Sequence, residues 1–171
     1  GTYNIQVVYG GDSKYIGNIS SIKQIIVNKI PSNISIDINK DSFFIDEEVI
    51  ITVVLNPTIS GIVDLKVGNQ TYKIIIYKGF GNLTLTNLTN GTYNIQAVYG
   101  GDNKYIGSIS IIKQVTVNKI PSNISIDVNK DSFFIDEEVI ITVVLNSAIS
   151  GIVDLKVGNQ TYNIVVDNGD L

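Results

Sequence analysis

The chain has 171 residues, of which 44% are hydrophobic and 16% are charged, and its formal net charge is −4. That apolar content is sufficient for packed cores, and the absence of any basic run excludes an electrostatic footprint for nucleic acid or an anionic membrane. Without cysteine or histidine, the sequence also excludes disulfides, thiolate chemistry, the commonest general base and most metal ligands. No apolar run approaches the eighteen or so residues of a spanning helix, so we expect no direct membrane insertion.

The sequence repeats itself with a period of 90 residues. Residues 1–81 match residues 91–171 at 65 of 81 positions without a gap. A period of this length is one small domain, so we predict a tandem array. We divide the chain into the last two strands of one repeat (residues 1–29), a complete repeat (30–118) and the N-terminal part of a third (119–171). We expect the sequence to be a window on a longer polymer of near-identical domains.

The complete repeat contains short strands separated by turns and shows no helical periodicity. Apolar and polar residues alternate in a first strand at Ile34–Ile38, and a polar connection over residues 40–48 leads to a second strand at Val49–Leu55. Further strands are expected near residues 63–67, 72–76, 83–85, 93–99 and 115–117, with glycine-containing turns between most of them. This pattern predicts an all-β fold of tandem Ig-like antiparallel β-sandwiches with Greek-key connections and about seven strands per 90-residue repeat.

One tyrosine in each copy occupies a position of structural interest. Tyr93 lies where the fifth strand crosses to the sixth, and Tyr3 is its counterpart in the first copy. In Greek-key sandwiches a tyrosine at this position bonds its hydroxyl to nearby backbone, forming a tyrosine corner. We therefore predict structural tyrosine corners at Tyr3 and Tyr93. The alternative is that each ring only fills core volume.

The segment around the second of these tyrosines resembles a known family. From Gly91 to Tyr105 the chain reads Gly-Thr-Tyr-Asn-Ile-Gln-Ala-Val-Tyr-Gly-Gly-Asp-Asn-Lys-Tyr. This resembles the G-T/N-Y-x-V-x-V-x-Y-x-G-D-x-x-Y stretch of bacterial Ig-like repeats, which abound in large adhesin-like surface proteins of methanogenic archaea and some bacteria. Both copies of the stretch and the linker Asn118–Ser122 fit the resemblance. It implies an extracellular, multi-domain, non-enzymatic stalk at the cell surface, and it identifies no ligand.

Asn-x-Ser/Thr triplets, the acceptor sites of N-glycosylation, occur eight times. A bulky glycan suits the surface of an exported protein. The candidate glycosylation sites are Asn18, Asn69, Asn82, Asn87, Asn90 and Asn159. Asn33 and Asn123 are less suited, because they adjoin the expected domain junctions. The alternative is that a chain rich in Asn, Ser and Thr forms such triplets by chance.

Several acidic side chains are of the type that binds calcium. Asp41, the run Asp46-Glu47-Glu48 and Asp102 are hard oxygen ligands that suit calcium, although no EF-hand spacing is present. We expect these charges to be solvated loops that keep the array soluble, and we therefore expect no cofactor.

Lysine occurs at an unusual position in the last strand of each repeat. Lys113 is in phase with the inward Val115 and Val117, as Lys23 is with Ile25 and Val27. An intramolecular isopeptide bond is one interpretation. A β-bulge that reverses the phase or a stem that extends outward to solvent are the others, and we expect the bulge.

We interpret the chain as a non-enzymatic structural spacer that holds an unseen tip domain, which itself binds host or cell-surface glycans or proteins, away from the cell. The dipeptides Ile30-Pro31 and Ile120-Pro121 favour stiff, extended junctions between repeats. One alternative is a carbohydrate- or protein-binding module that uses Tyr15, Tyr105 and Asp102.

Two further interpretations make neighbouring chains the partners. In the first, the chain is a strand-exchanged filament subunit. In the second, the outward-facing Ile50, Val54 and Val98 pack one copy against another in a sheath or filament.

Overall fold

The structure is a computed structural model that describes residues 1–145 and 149–167. The described residues form seventeen strands and no helix, which confirms the predicted all-β class, and accordingly no membrane-crossing helix is present among them. The chain divides into two compact units, Gly1–Asn118 and Lys119–Leu171. Residues 146–148 and 168–171 of the expected third repeat lie outside the described residues.

The first copy of the repeat contributes two pairs of antiparallel strands. Strand β1 (Thr2–Ile5) pairs with β4 (Lys23–Ile26), and β2 (Val8–Gly11) pairs with β3 (Ile16–Ile19). All their residues are exposed except Gly11, which is half-buried. No core therefore forms around this part of the chain.

The complete repeat builds two sheets, and the smaller has three antiparallel strands. Strand β7 (Val49–Asn56) lies between β5 (Asn33–Ile38) and β10 (Phe80–Leu85). The register joins Ile36 to Val53, and Val53 to Gly81 on its other side. Every second residue of β5 is buried, as the alternation in its sequence predicts, and every second residue of β7 is buried although its sequence is apolar on both faces.

The larger sheet has the strand order β6-β13-β11-β8-β9, with β12 paired to β11. The elements are β6 (Ser42–Phe44), β8 (Gly61–Val67), β9 (Gln70–Ile76), β11 (Gly91–Tyr99), β12 (Ser108–Ile109) and β13 (Lys113–Asn118). All pairings in this sheet are antiparallel except that of β6 with β13. The inward side chains of the two sheets form one core in which Ile51, Leu55, Leu65 and Ile95 are fully buried.

Strand β6 corrects the prediction that residues 40–48 are only a polar connection. Phe43 is buried in the core, and its strand pairs in parallel with β13 through Phe43 and Val117. The amide of Thr116 donates to the carbonyl of Asp41 at 2.9 Å. Burial of an aromatic ring outweighs the turn propensity of the polar residues around it.

A β-bulge interrupts the pairing along β11. Val98 is opposite Ile109 of β12, whereas Ile95 is opposite Lys113 of β13. Three residues on one side, Ser110 to Ile112, therefore face two on the other, which defines a bulge. The first copy has the same offset, because Val8 is opposite Ile19 and Ile5 is opposite Lys23.

The described residues of the second unit form two antiparallel strand pairs. Strand β14 (Ile124–Val128) pairs with β15 (Ile141–Leu145), and β16 (Gly151–Val157) pairs with β17 (Gln160–Val166). These strands are the counterparts of β5, β7, β8 and β9 in the complete repeat.

Candidate functional site

The most highly organised polar feature of the complete repeat is the loop from Gly100 to Gly107, which follows β11. One carboxylate oxygen of Asp102 accepts hydrogen bonds from the amides of Lys104 and Tyr105, both at 2.7 Å. The other accepts the hydroxyl of Tyr99 at 3.0 Å. A single carboxylate thus satisfies three donors and closes the loop on itself.

These bonds also perturb the protonation of both partners. The amides of Tyr105 and Lys104 hold the pKa of Asp102 below its ordinary 3.8, and the Tyr99 hydroxyl and the charge of Lys29 act in the same direction. Burial, and then the bond to Asp102, raise the pKa of Tyr99 above 10.0. The ionised aspartate and the neutral tyrosine are therefore the forms that fit the loop.

Two glycines allow the ends of this loop to touch. Gly101 has a φ of +81°, and a Cβ added there would lie 2.7 Å from the amide nitrogen of Gly107. A Cβ on Gly107 would lie 2.6 Å from the carbonyl oxygen of Tyr99. The loop closes this tightly only because neither residue has a side chain.

The first copy forms the same loop, from Gly10 to Gly17, without a sandwich behind it. Asp12 accepts the amides of Lys14 at 2.7 Å and Tyr15 at 2.8 Å, and the hydroxyl of Tyr9 at 2.7 Å. The bonds from Lys14, Tyr9 and Tyr15 lower the pKa of Asp12 as well. The shape of the loop is therefore encoded locally.

In the complete repeat this loop holds the linker that enters the same repeat. The amide of Ile30 donates to the carbonyl of Lys104 at 2.9 Å, and the amide of Ile106 donates to the carbonyl of Ile30 at 2.8 Å. Ile30 thereby forms a parallel bridge with Tyr105. We call this arrangement of residues 29–32 on residues 102–108 the linker clamp.

Side chains extend the linker clamp on both sides of Ile30. The ammonium of Lys29 donates to the carbonyl of Asp102 at 2.6 Å. The hydroxyl of Ser32 donates to the carbonyl of Ile106 at 2.6 Å and lies 2.8 Å from the hydroxyl of Ser108. Three of the four residues Lys29-Ile30-Pro31-Ser32 are thus bonded to the loop, and the fourth is a proline of fixed φ.

Ser110, in the bulge, is a polar core residue that the sequence analysis did not single out. It is buried, and its hydroxyl accepts the amide of Ala97 at 2.9 Å and donates to the carbonyl of Ile111 at 2.8 Å. The hydroxyl replaces the backbone partner that the bulge removes. Ser20 has the same two bonds in the first copy, to Val7 and Ser21. The recurrence of serine at this position in both copies is the signal that points to this role.

Tyr93, for which a tyrosine corner is predicted, bonds to the residue four positions before it. Its hydroxyl donates to the carbonyl of Thr89 at 2.9 Å and lies 2.9 Å from the Thr89 hydroxyl. The bond ties the start of β11 to the connection that precedes it. The ring of Tyr3, in contrast, is exposed, since no second sheet covers β1.

All six candidate glycosylation sites are exposed, namely Asn18, Asn69, Asn82, Asn87, Asn90 and Asn159. Asn69 and Asn159 are the second residues of the two-residue turns that begin at Gly68 and Gly158. Asn90 differs from the others because its side-chain nitrogen, the atom to which a glycan is attached, donates to the carbonyl of Val117 at 2.8 Å. Glycosylation at these sites stays a prediction.

The expectation that a bulge turns Lys113 outward is wrong. The bulge precedes Lys113, and the register from Ile95 to Val117 continues without interruption. Lys113 keeps the phase of the inward valines, and its stem carries the ammonium outward to Asp37, at 3.2 Å. Asp37 is exposed, so the observed interaction is a solvated ion pair.

The acidic residues that suit calcium by their chemistry make other contacts in the structure. Asp102 closes its own loop, while Glu47 accepts the amide of Phe44 at 2.6 Å and lies 3.7 Å from the ammonium of Lys40. In the part of the chain that the structure describes, no three acidic side chains come together as a metal site.

The surfaces predicted to bind partners differ from their sequence-based description. The ring of Tyr105 is partly buried against the core, and the ammonium of Lys104 lies 5.2 Å from its centre, as that of Lys14 does over Tyr15. Ile50, Val54 and Val98 are half-buried. The outward apolar neighbours on β8 and β9 are instead Ile62 and Ile75, which are paired and exposed.

No protein-family model and no curated protein matches this chain. The linker clamp and the repeat are therefore the features that bear on function.

Proposed function

We propose that this chain is a series of structural spacer repeats in an extracellular, adhesin-like cell-surface protein, with no enzymatic role. The observation that carries the proposal is the linker clamp. A linker between two domains is ordinarily free to bend, and a bent stalk loses reach. Here the repeat binds its own linker through backbone and side-chain hydrogen bonds.

The junction is also short. The amide of Val27 bonds to Gly1 at the end of the first copy, and Ile30 is already bonded to Lys104 of the complete repeat. Only Asn28 and Lys29 lie between these bonds, and the Lys29 side chain is itself held. Such a junction favours a stiff, extended array.

The finer fold that we propose is an Ig-like Greek-key sandwich. The strand orders β10-β7-β5 and β6-β13-β11-β8-β9 are compatible with that topology, and the Tyr93 bond to Thr89 adds support. A bead of this kind contributes about 25 Å for each eight-residue strand laid along the array. Near-identical copies add length without adding new specificity.

The proposed location and partners follow from the resemblance to adhesin-like repeats. The exposed candidate asparagines suit a glycosylated surface protein. In this proposal the repeats contact one another and neighbouring chains, and a tip domain outside this sequence binds host or cell-surface glycans or proteins.

Protease shaving of intact source cells tests the location. Mass spectrometry of the released peptides is expected to recover fragments such as residues 41–66, some with sugar masses on the asparagine-containing peptides. Shaving of lysed cells, with a cytoplasmic marker, provides the control for leakage. Recovery of these peptides only after lysis would contradict the proposal.

A further inference from the structure

The first and last segments of the complete repeat run side by side in the same direction. Residues 29–45 are the first segment, and residues 102–118 are the last segment. The linker clamp joins the two segments at one end, and the parallel pairing of β6 with β13 joins them at the other. Two contacts that are distant along each segment thus belong to one longer contact.

Hydrogen bonds and an ion pair connect the two segments between and beyond these contacts. The ammonium of Lys113 lies 3.2 Å from the carboxylate of Asp37. The amide of Ile45 donates to the carbonyl of Asn118 at 2.9 Å, and the Asn118 side chain donates to the hydroxyl of Ser42 at 2.7 Å. Bonded partners are 73 to 76 residues apart from one end to the other, so the segments keep one parallel alignment.

The chain enters and leaves the repeat at opposite ends of the larger sheet. Ile30 is bonded to the loop that follows Tyr99, the last residue of β11. Val117, next to the exit, is opposite Gly91, the first residue of β11. A pull on the chain before residue 29 and after residue 118 therefore acts along the strands rather than across them.

Tension in this direction loads all the bonds between the two segments at once. The first segment is drawn towards its N-terminus and the last segment towards its C-terminus, so parallel segments must slide past each other lengthwise. Strands that are pulled apart sideways, in contrast, lose their bonds one after another from one end. Sliding also draws the ring of Phe43, which is 4% exposed, out of the core. Polar bonds and apolar burial must therefore fail together.

We propose that the paired first and last segments form a tension-bearing element, which keeps the complete repeat folded when the chain is pulled from its two ends. The resistance is kinetic, because forced unfolding is governed by the rate of unfolding and not by the equilibrium stability. This resistance is a property of the fold itself. Only its use in a stalk rests on the proposed spacer function.

Two directions of pulling on the full chain test the proposal. Because the chain has no cysteine, the handles of an optical tweezers experiment attach only at introduced cysteines. Asn28→Cys/Lys119→Cys applies force along the strands, through the two segments. Asn69→Cys/Lys119→Cys applies force across the larger sheet, because the turn at Gly68 bonds to Asn94, at the end of the sheet where the chain leaves. All three handle sites are exposed.

The direction of force is expected to decide how fast the repeat unfolds. At the same constant force, unfolding along the strands is expected to be more than about a hundredfold slower than unfolding across the sheet, because the bonds break together rather than in turn. In denaturant without force, the unfolding rates of the two cysteine variants are expected to agree within about twofold, since both carry substitutions at the surface. A difference under force then reports the direction of the load alone.

A matched pair of serine substitutions tests whether the bonds between the segments carry the load. Ser32→Ala removes the bond to the carbonyl of Ile106, whereas Ser60→Ala removes the acceptor of the Lys78 amide, outside both segments. Along the strands, Ser32→Ala is expected to raise the unfolding rate about threefold to tenfold, as the loss of one neutral hydrogen bond implies. Ser60→Ala in that direction, and Ser32→Ala across the sheet, are each expected to change the rate less than about twofold.

Equal unfolding rates in the two directions would overturn the proposal. An equal effect of Ser32→Ala in both directions would also overturn it, because the bond would then contribute to the fold without bearing the load. Neither result bears on surface location, which cell shaving tests separately. A location inside the cell would in turn leave the resistance to force unchanged.

Discussion

At the scale of single residues, comparison of the two copies shows which hydrogen bonds form locally and which burial depends on the sandwich. Asp12 and Asp102 make the same bonds, although only the second lies beside a closed core. Ser20 and Ser110 likewise share their partners, but only Ser110 is buried. Each residue of the first copy is therefore a matched control for its counterpart in the complete repeat.

Replacement of Asp102 by asparagine is expected to weaken the complete repeat in a pH-dependent way. The pKa of Asp102 is lower in the folded than in the unfolded chain, so its ionised form stabilises the fold above about pH 3.8. That contribution is lost as the pH falls through the folded-state pKa. Thermal melts between pH 7 and pH 2 are expected to show a lower midpoint for Asp102→Asn at neutral pH, with the difference shrinking in acid.

Asp12→Asn is the control for this prediction, because it removes the same charge where no core has formed. Its effect on the main transition is expected to be small at every pH. A difference between wild type and Asp102→Asn that stays constant down to pH 2 would contradict the role assigned to the carboxylate.

Loss of the buried serine hydroxyl is expected to destabilise the complete repeat. In Ser110→Ala the amide of Ala97 loses its acceptor inside the core, which costs about 1–3 kcal/mol. Denaturant titration, followed by tyrosine fluorescence, measures the change. Ser20→Ala removes the same bond at an exposed position and is expected to stay within about 0.5 kcal/mol of wild type. Equal effects of the two substitutions would show that the hydroxyl has no core role.

At the scale of strands and loops, the sequence predicts best what depends on near neighbours. The alternation over Ile34–Ile38 correctly predicts β5, because one buried face imposes a period of two, and the largely apolar segment Val49–Leu55 correctly predicts β7. Strand β6 escapes prediction because Phe43 gains its strand partner, Val117, only through the tertiary fold. The position of the bulge, and hence the direction of Lys113, depends on pairing with β11 in the same way.

The linker clamp is harder still to predict from the sequence. Pro31 indicates an extended linker, and the residues Gly-Gly-Asp indicate a turn. Nothing local connects Ser32 with Ile106, which are 74 residues apart along the chain. The candidate site was therefore predicted as two separate pieces, and the structure joins them.

Closure of the loop from Gly100 to Gly107 depends on the glycine at position 101. Gly101→Ala places a side chain at a φ of +81° and against the backbone of Gly107, so we expect a loss of about 1–3 kcal/mol in the stability of the complete repeat. Gly100→Ala is the neighbouring control, because an added Cβ meets nothing within 4 Å there. Chemical denaturation of both variants measures the difference. Equal stability of the two would contradict the account of how the loop closes.

At the scale of the whole molecule, the repeat, the short junction and the linker clamp support one account. Near-identical repeats contribute length, and each repeat holds the linker that enters it. A stiff array requires that the linker is ordered as firmly as the sandwich, not merely placed beside it. Amide hydrogen exchange distinguishes these two conditions, because exchange reports the free energy of local opening.

The most direct test is therefore native-state hydrogen exchange, measured by NMR on the full chain at a dilution where light scattering shows a monomer. We predict that the amides of Ile30 and Ile106 exchange nearly as slowly as core amides such as that of Val53. Ile120, which occupies the equivalent linker position in the next copy, provides an internal reference and is expected to exchange far faster. Exchange of Ile30 as fast as Ile120 would contradict the central claim that each repeat clamps its own linker.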